Sequence, residues 1–370
     1  MRKVNLLKRF ITSSRKTKDT LENYNQRIEK SKDIWMSLFP KHSKMQQLDF
    51  YDGQKLDHEG LDYSLNIVWD MLERKGKKIR PALMMILGNV YKLDESQCLK
   101  ASLVVETVHN ATLIIDDIED QSVKRRGEPC SHLKFGVDNS INAGVMGMFL
   151  PMERLMSDPQ FACLPDGTKA KLMSMYLSEM KNIHLGLAWD IYWHNKRYDY
   201  NTVPTESDYI KMVESKTSVL LRIGFKMIAI LGNLNAEETE KLVKLANLIG
   251  ASFQIKDDII SLTEEDYRGA GTGIGDDITE GKITLMVIHN AKTTSSNEAL
   301  EILHKRTTDQ NEIRRAIGIL ERSGSLRYGE EKQMSLMKEA KSIVASLKAK
   351  NHEAKNEFID VLDFLLDRRK

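Results

Sequence analysis

From Thr205 to Lys370 the chain contains no proline, so nearly half of it lacks the residue that most reliably ends an α-helix. Helix is the expected element there. Only 7% of the residues are aromatic, and no alternating apolar/polar segment is bounded by an Asn-Gly or Asp-Gly turn, which leaves β-hairpins without their usual signal. Helical periodicity runs through residues 61–73, 80–91, 96–117, 170–192, 206–231, 236–262 and 312–323, and an all-α fold is predicted. Residues 101–115 and 242–260 are apolar on more than one face, as inner helices of a bundle must be. Loop signals fall at 51–53, 127–129, 165–167, 269–275 and 294–297, and none reads as a domain linker. Residues 51–370 are therefore expected to form one all-α domain behind an N-terminal extension, residues 1–50. Residues 325–370 read as two amphipathic helices.

Fifty-five Lys and Arg against 53 Asp and Glu give a net charge of +2, so no global excess draws the chain to nucleic acid or an anionic membrane. Cys98, Cys130 and Cys163 are scattered, without a CxxC pair, which fits a reducing, cytoplasmic compartment. The N-terminal MRKVNLLKRFITSSRKTKD is basic before its first acid, Asp19, and carries Leu6, Leu7, Phe10 and Ile11; a mitochondrial presequence is the alternative it raises. The best apolar stretch, 219–234, is interrupted by Arg222 and Lys226, so no transmembrane segment is expected.

The residues that carry chemistry close the two inner apolar segments. In LIIDDIEDQSVKRRGEP, residues 113–129, Asp116 and Asp120 are spaced i, i+4 and share a helix face, flanked by Asp117 and Glu119. Four acids within five residues repel one another unless cations neutralise them, and clustered carboxylates suit hard Mg²⁺. A solvated acidic helix end is the plain alternative, which the apolar lead-in from Ala111 to Ile115 opposes. A second pair, Asp257 and Asp258 in FQIKDDIISL, follows a similar lead-in. If the two helices face each other, Asp116, Asp120 and Asp257 can hold Mg²⁺ whose shell is completed by phosphate oxygens, making the ligand a diphosphate ester. Lys77 and Arg80 in GKKIRP, Arg125 and Arg126, Lys216 in ESKTS and Lys282 in TEGKIT supply donors for such a group. Each alone would be an ordinary surface charge; their weight lies in occurring together.

The set Gly76-Lys77-Lys78-Ile79-Arg80, His109-Asn110, DDIED at 116–120, Arg125-Arg126-Gly127, Lys216-Thr217, FQIKDD at 253–258 and DITEGK at 277–282 resembles the trans-isoprenyl diphosphate synthases, in the family's order. VHNATLIIDDIEDQSVKRRGEPCSH and DIYW at 190–193 look most like the eukaryotic geranylgeranyl diphosphate synthases. The resemblance implies a terpenoid-synthase helical bundle around a central cavity, a homodimer, and Mg²⁺-dependent condensation of isopentenyl diphosphate with an allylic diphosphate, most simply to geranylgeranyl diphosphate. Carried over, Asp116, Asp120 and Asp257 hold the metal with Asp117 and Asp258 in support. Lys77, Arg80, His109 and Arg126 bind isopentenyl diphosphate; Arg125, Lys216, Thr217, Gln254 and Lys282 bind the allylic diphosphate. Isopentenyl π electrons attack the ionised allylic carbon, and the released diphosphate accepts the proton.

Three residues depart from the family pattern: Ser261 where many members have a third Asp, Thr272 where many have Lys, and Leu187 where a Gln follows Gly186. These changes raise the alternative of a weakly active or non-catalytic regulatory subunit; a terpene synthase on the same fold is a separate alternative, which Lys77, Arg80 and His109 oppose. Product length in the family follows the depth of an apolar tunnel. Small Ala111 and Thr112 leave its upper part open, and Gly147, Met148 and Phe149 are expected near its floor.

Overall fold

The computed structural model describes residues 17–41, 59–264 and 274–366. The basic segment through residue 16, the 51–53 turn, Thr272 and most of the 269–275 loop lie outside the described residues. By compactness the chain divides into two units. Unit 1 comprises the described residues of Met1–Ser174 with Gly224–Leu234 and Ala349–Val361; unit 2 comprises those of Met175–Ile223, Asn235–Lys348 and Leu362–Lys370.

Unit 1 begins with α1 (residues 17–30) and α2 (Lys32–Leu38), followed by α3 (Glu59–Glu73), α4 (Ile79–Val90) and α5 (Glu95–Glu119). A short ladder, β1 (Lys124–Arg125) and β2 (Glu128–Pro129), leads to α6 (Ser131–Phe135), α7 (Val137–Ser157) and α8 (Pro159–Ala162). The long α9 (Asp166–Asn195) passes from the first unit into the second. There follow α10 (Glu206–Lys216), α11 (Ser218–Leu231), α12 (Ala236–Thr263), α13 (Asp276–Glu280), α14 (Leu285–Thr294), α15 (Glu298–Lys305), α16 (Gln310–Arg322), α17 (Ser325–Ser346) and α18 (His352–Leu366). The all-α expectation holds, and the two helices expected after Ser325 are α17 and α18.

In unit 1, α5 is the inner helix, packed by α3, α4 and α7, and Val104, Val105, Val108 and Ala111 on it are buried. Its seam with α7 is made by small residues. A Cβ on Gly144 would lie 2.8 Å from Ile115 Cδ1, and one on Gly147 would lie 2.8 Å from Ala111 Cβ, so only glycine permits this approach. Among the described residues α5 alone is long and apolar enough to cross a membrane, but 67% of its apolar window is buried inside the protein. Part of the expected N-terminal extension is built into this core. Ile28, Trp35, Leu38 and Phe39 are buried, and the Trp35 indole donates to Thr107 Oγ1 at 3.0 Å.

The ladder β1–β2 is a hairpin built without an Asn-Gly or Asp-Gly turn. Its two-residue loop is Arg126-Gly127, both at positive φ (56° and 83°) as a type I′ turn requires, with Arg in the place of Asn. Burial of its anchor offsets the strain at Arg126: Arg74, itself buried, donates to the Arg125 carbonyl at 3.1 Å and the Pro129 carbonyl at 2.8 Å, gripping both strands.

In unit 2, α12 is the inner helix, packed against α10, α13 and α17. Asn235 caps its start, accepting from the Glu238 N–H at 2.9 Å, and in its last turn Ser261 receives the chain returning to α13. The Ser261 carbonyl accepts from Gly275 N at 2.8 Å and its hydroxyl from Asp277 N at 3.2 Å.

Candidate active site

In unit 1 the chemistry gathers where α5 ends and α4 begins. Asp116 and Asp117 lie in the last turn of α5, and Asp120 is its C-cap. Asp117 is fully buried, while Asp116 keeps 23% of its side chain exposed. Arg125, on β1, turns back to them. Its Nε donates to Asp117 Oδ1 at 2.8 Å, its Nη2 also bonds that oxygen, and Nη2 lies 3.5 Å from Asp116 Oδ2.

Arg126, one residue on, points elsewhere because the turn reverses the chain. Its Nη1 donates to Asn110 Oδ1 at 3.0 Å, and its guanidinium lies over Gly76, where a Cβ would come within 3.1 Å of Cζ. One residue before Asn110, His109 Nε2 is 3.2 Å from Arg80 Nη1. Burial, reinforced by Arg80, Arg126 and Arg125, holds the His109 imidazole well below its ordinary pKa. Behind this group sits the buried Glu106, whose carboxylate accepts from Asn110 Nδ2 at 3.2 Å and attracts Arg80 and Arg126. Burial pushes its carboxyl pKa upward against that attraction. Lys77 is exposed in the turn before α4, its carbonyl accepting from Asn25 at 3.1 Å.

In unit 2 a cleft is lined by residues that include Asp190, Lys216, Thr217, Gln254 and Lys282. It forms where α10 gives way to α11, and Gly186 of α9 makes the break possible: a Cβ there would lie 2.6 Å from Lys216 N. Lys216 Nζ bonds Asp190 Oδ2 at 2.5 Å, and His194 Nε2 lies 3.1 Å from Asp190 Oδ1. Burial opposes ionisation of Asp190, but Lys216 and His194 outweigh it and keep the carboxyl far below its ordinary range. Thr217 Oγ1 donates to Gln254 Oε1 at 2.7 Å; Gln254 Nε2 donates to Asp258 Oδ1 at 2.9 Å; Tyr209 OH donates to Asp258 Oδ2 at 2.7 Å. Burial and the nearby Asp277 raise Asp258 to about 7. Lys282 Nζ pairs with Glu280 and stands 3.9 Å from Asp277. Asp257 is partly exposed, whereas Asp258 is buried with both oxygens bonded to protein donors.

The chain-length residues are placed as follows. Ala111 and Gly147 meet across the α5–α7 seam, Met148 is buried, Thr112 is half-buried and donates to the His109 carbonyl at 2.8 Å, and Phe149 stands 53% exposed on the outer face of α7. Leu187 is half-buried beside Gly186 and brings no polar group.

Among the described residues no three His, Cys, Asp or Glu side chains converge as a closed metal cage. Mg²⁺ does not need one. It keeps waters, takes one or two carboxylates and completes its shell with substrate phosphates, which partly exposed Asp116 and Asp120 on one face of α5 suit.

Residues 62–320 match the family model described as polyprenyl synthetase. The chain belongs to that family. A geranylgeranyl pyrophosphate synthase of Gibberella zeae is 32% identical over 278 residues, covering 75% of this chain and 71% of that one. One of Eremothecium gossypii is 34% identical over 273 residues, covering 72% and 83%. A crystal structure of a geranylgeranyl pyrophosphate synthase shares the fold, with a TM-score of 0.78 and 20% identity over 95% of this chain and 99% of that one. As a polyprenyl synthetase the chain is a prenyltransferase, and its supporting residues become intelligible. Arg74, Glu106 and Tyr209 carry no signal in the sequence, because a lone charged or phenolic residue within a helical pattern has no distinctive spacing; Asp190 is marked only by DIYW, as part of the resemblance.

Proposed function

We propose that this polyprenyl synthetase condenses isopentenyl diphosphate with an allylic diphosphate and releases geranylgeranyl diphosphate. One observation carries the reading: each unit holds its own cationic cluster, Arg80 and Arg126 beside neutral His109 in unit 1 and Lys216 with Lys282 in unit 2. A reaction that joins two diphosphate esters needs two such clusters; a terpene synthase, which ionises one, does not. The names borne by the fungal relatives support the product, as does small Thr112 on α5.

In this reading Asp116 and Asp120 with Asp257 are the Mg²⁺ ligands, Asp117 orients Arg125, and Asp258 orients Gln254. Bound Mg²⁺ would neutralise the departing diphosphate. Lys216, Thr217, Gln254, Arg125 and Lys282 hold the allylic diphosphate; Lys77, Arg80, His109 and Arg126 hold isopentenyl diphosphate. As the allylic C–O bond breaks, the isopentenyl double bond forms the new C–C bond, and the proton lost from isopentenyl passes to the released diphosphate. Fixed cations in a partly buried site stabilise that charge without reorganising at the moment of reaction.

Val137, Ile141, Val145 and Phe149 recur every four residues along α7 and are all exposed, an apolar stripe that supports a homodimer. The separated cysteines, Cys98 and Cys130 buried and Cys163 exposed, support cytoplasmic residence.

The deciding experiment incubates the protein with Mg²⁺, labelled isopentenyl diphosphate and, separately, dimethylallyl, geranyl and farnesyl diphosphates. Products ending at twenty carbons are expected. No incorporation from any primer by the folded protein would point instead to a regulatory subunit, and hydrocarbon release without isopentenyl uptake to a terpene synthase.

A further inference from the structure

Tyr209 lies in the wall of the unit 2 cleft, 1% exposed, and its phenol is committed to one partner. A buried tyrosine needs an acceptor for its hydroxyl, and packing alone would be served by any. Here the acceptor is Asp258 Oδ2, at 2.7 Å, and the chain of hydrogen bonds does not stop there. The other oxygen of Asp258 takes Gln254 Nε2 at 2.9 Å, which fixes the flip of the amide, so that Gln254 Oε1 faces Thr217 Oγ1 at 2.7 Å. Thr217 is the residue at which α10 breaks into α11, immediately after Lys216. The four groups therefore tie α12 to both the body and the end of α10, and three of them, Asp258, Gln254 and Thr217, face the cleft with Tyr209.

We propose that Tyr209 is a positioning residue for the allylic diphosphate: its hydroxyl sets Asp258, which sets Gln254, which sets Thr217 and the helix break that aims Lys216 into the cleft. This deepens the prenyl-transfer reading and rests on it for the identity of the ligand. Tyr209→Phe removes one oxygen and keeps the ring's packing. Asp258 then has a buried oxygen without its donor, and its carboxylate is free to rotate, releasing the Gln254 amide.

The test compares wild type, Tyr209→Phe, Thr217→Val and the double variant by steady-state kinetics, with KM measured separately for geranyl and isopentenyl diphosphates. Calorimetric binding of inorganic diphosphate in Mg²⁺ is measured beside it. A five- to twentyfold rise in KM for geranyl diphosphate is expected for Tyr209→Phe, with KM for isopentenyl diphosphate changed less than twofold and diphosphate binding weakened by a similar factor. The double variant is expected to be no worse than the poorer single one, because both cut the same relay. A lower melting temperature with both KM values and diphosphate affinity unchanged would reduce Tyr209 to a packing residue, and multiplicative losses in the double variant would break the relay. If wild type binds diphosphate but never incorporates isopentenyl units, the prenyl-transfer reading fails, while the effect of Tyr209→Phe on diphosphate affinity still decides the relay.

Discussion

Arg80 Nη1 donates to His109 Nε2 at 3.2 Å, and since a guanidinium has no lone pair to offer, the network assigns that nitrogen as acceptor and places the imidazole proton on Nδ1. His109 is thus a neutral partner that holds Arg80 without adding a counter-charge of its own.

The folded protein resists protonating His109, whereas the unfolded chain does so near the ordinary value of 6.5. Below that pH the unfolded state binds the extra proton, so stability present above 6.5 falls progressively as pH drops toward the depressed folded value. Denaturant titrations from pH 8 to pH 5 are expected to show that decline, with a shallower slope in His109→Gln. The remaining slope belongs partly to His289 and His304, which burial also depresses.

Asp190→Asn leaves the Lys216 ammonium without its buried counter-charge. Breaking such a pair costs about 3 kcal/mol. Chemical denaturation should show a loss of that order, and kcat/KM for the allylic diphosphate should fall far more than KM for isopentenyl diphosphate rises.

Removing Mg²⁺ with a chelator is expected to abolish turnover, and adding it back to restore turnover. Asp116→Asn and Asp257→Asn should each lower kcat on the order of 10²–10³-fold, the scale of losing one preorganised electrostatic contact. Circular dichroism should stay unchanged, because neutralising Asp116 relieves repulsion in the acidic cluster at the end of α5 and Asp257 on α12 is only partly buried. Normal kcat in either variant would remove that residue from the ligand set.

Thr112→Phe on α5 should shorten the product, read by chromatography of the dephosphorylated alcohols. Met148→Tyr should shorten it too, at a cost of about 1–3 kcal/mol because Met148 is already 2% exposed.

Ile141→Glu combined with Val145→Glu should convert a dimer to a monomer by light scattering, with helix content retained. An unchanged mass would place any self-association elsewhere than the α7 stripe.

Much of this architecture was legible because helices write their burial into period and punctuation. The proline-free half and the doubly apolar segments around Val105 and Ile249 gave the inner helices α5 and α12, and the acids that end them gave Asp116 and Asp257. What stayed hidden depends on tertiary partners. Arg126-Gly127 forms a hairpin turn only because Arg74 grips both strands, and nothing in Arg74's neighbours says so. Glu106 and Asp190 read as ordinary helix charges until their cations are in view. Ser261, notable for the acid it lacks, turns out to fasten the loop that returns to α13. Asp257 and Asp258 are adjacent in sequence but differ in kind: the helix turns the second into its own unit's hydrogen bonds and leaves the first partly open.

Helix α7 meets α5 through glycines at 144 and 147, while Val145 and Phe149 stand on its far side. The helix behaves as a cam. In the proposed homodimer, bulk added on the glycine face to shorten the product is expected to move the helix axis outward and carry the apolar stripe with it, so that product length and subunit affinity would change together. Variation that tunes one character drags the other, and compensating substitutions on opposite faces of α7 are the economical way to change only one.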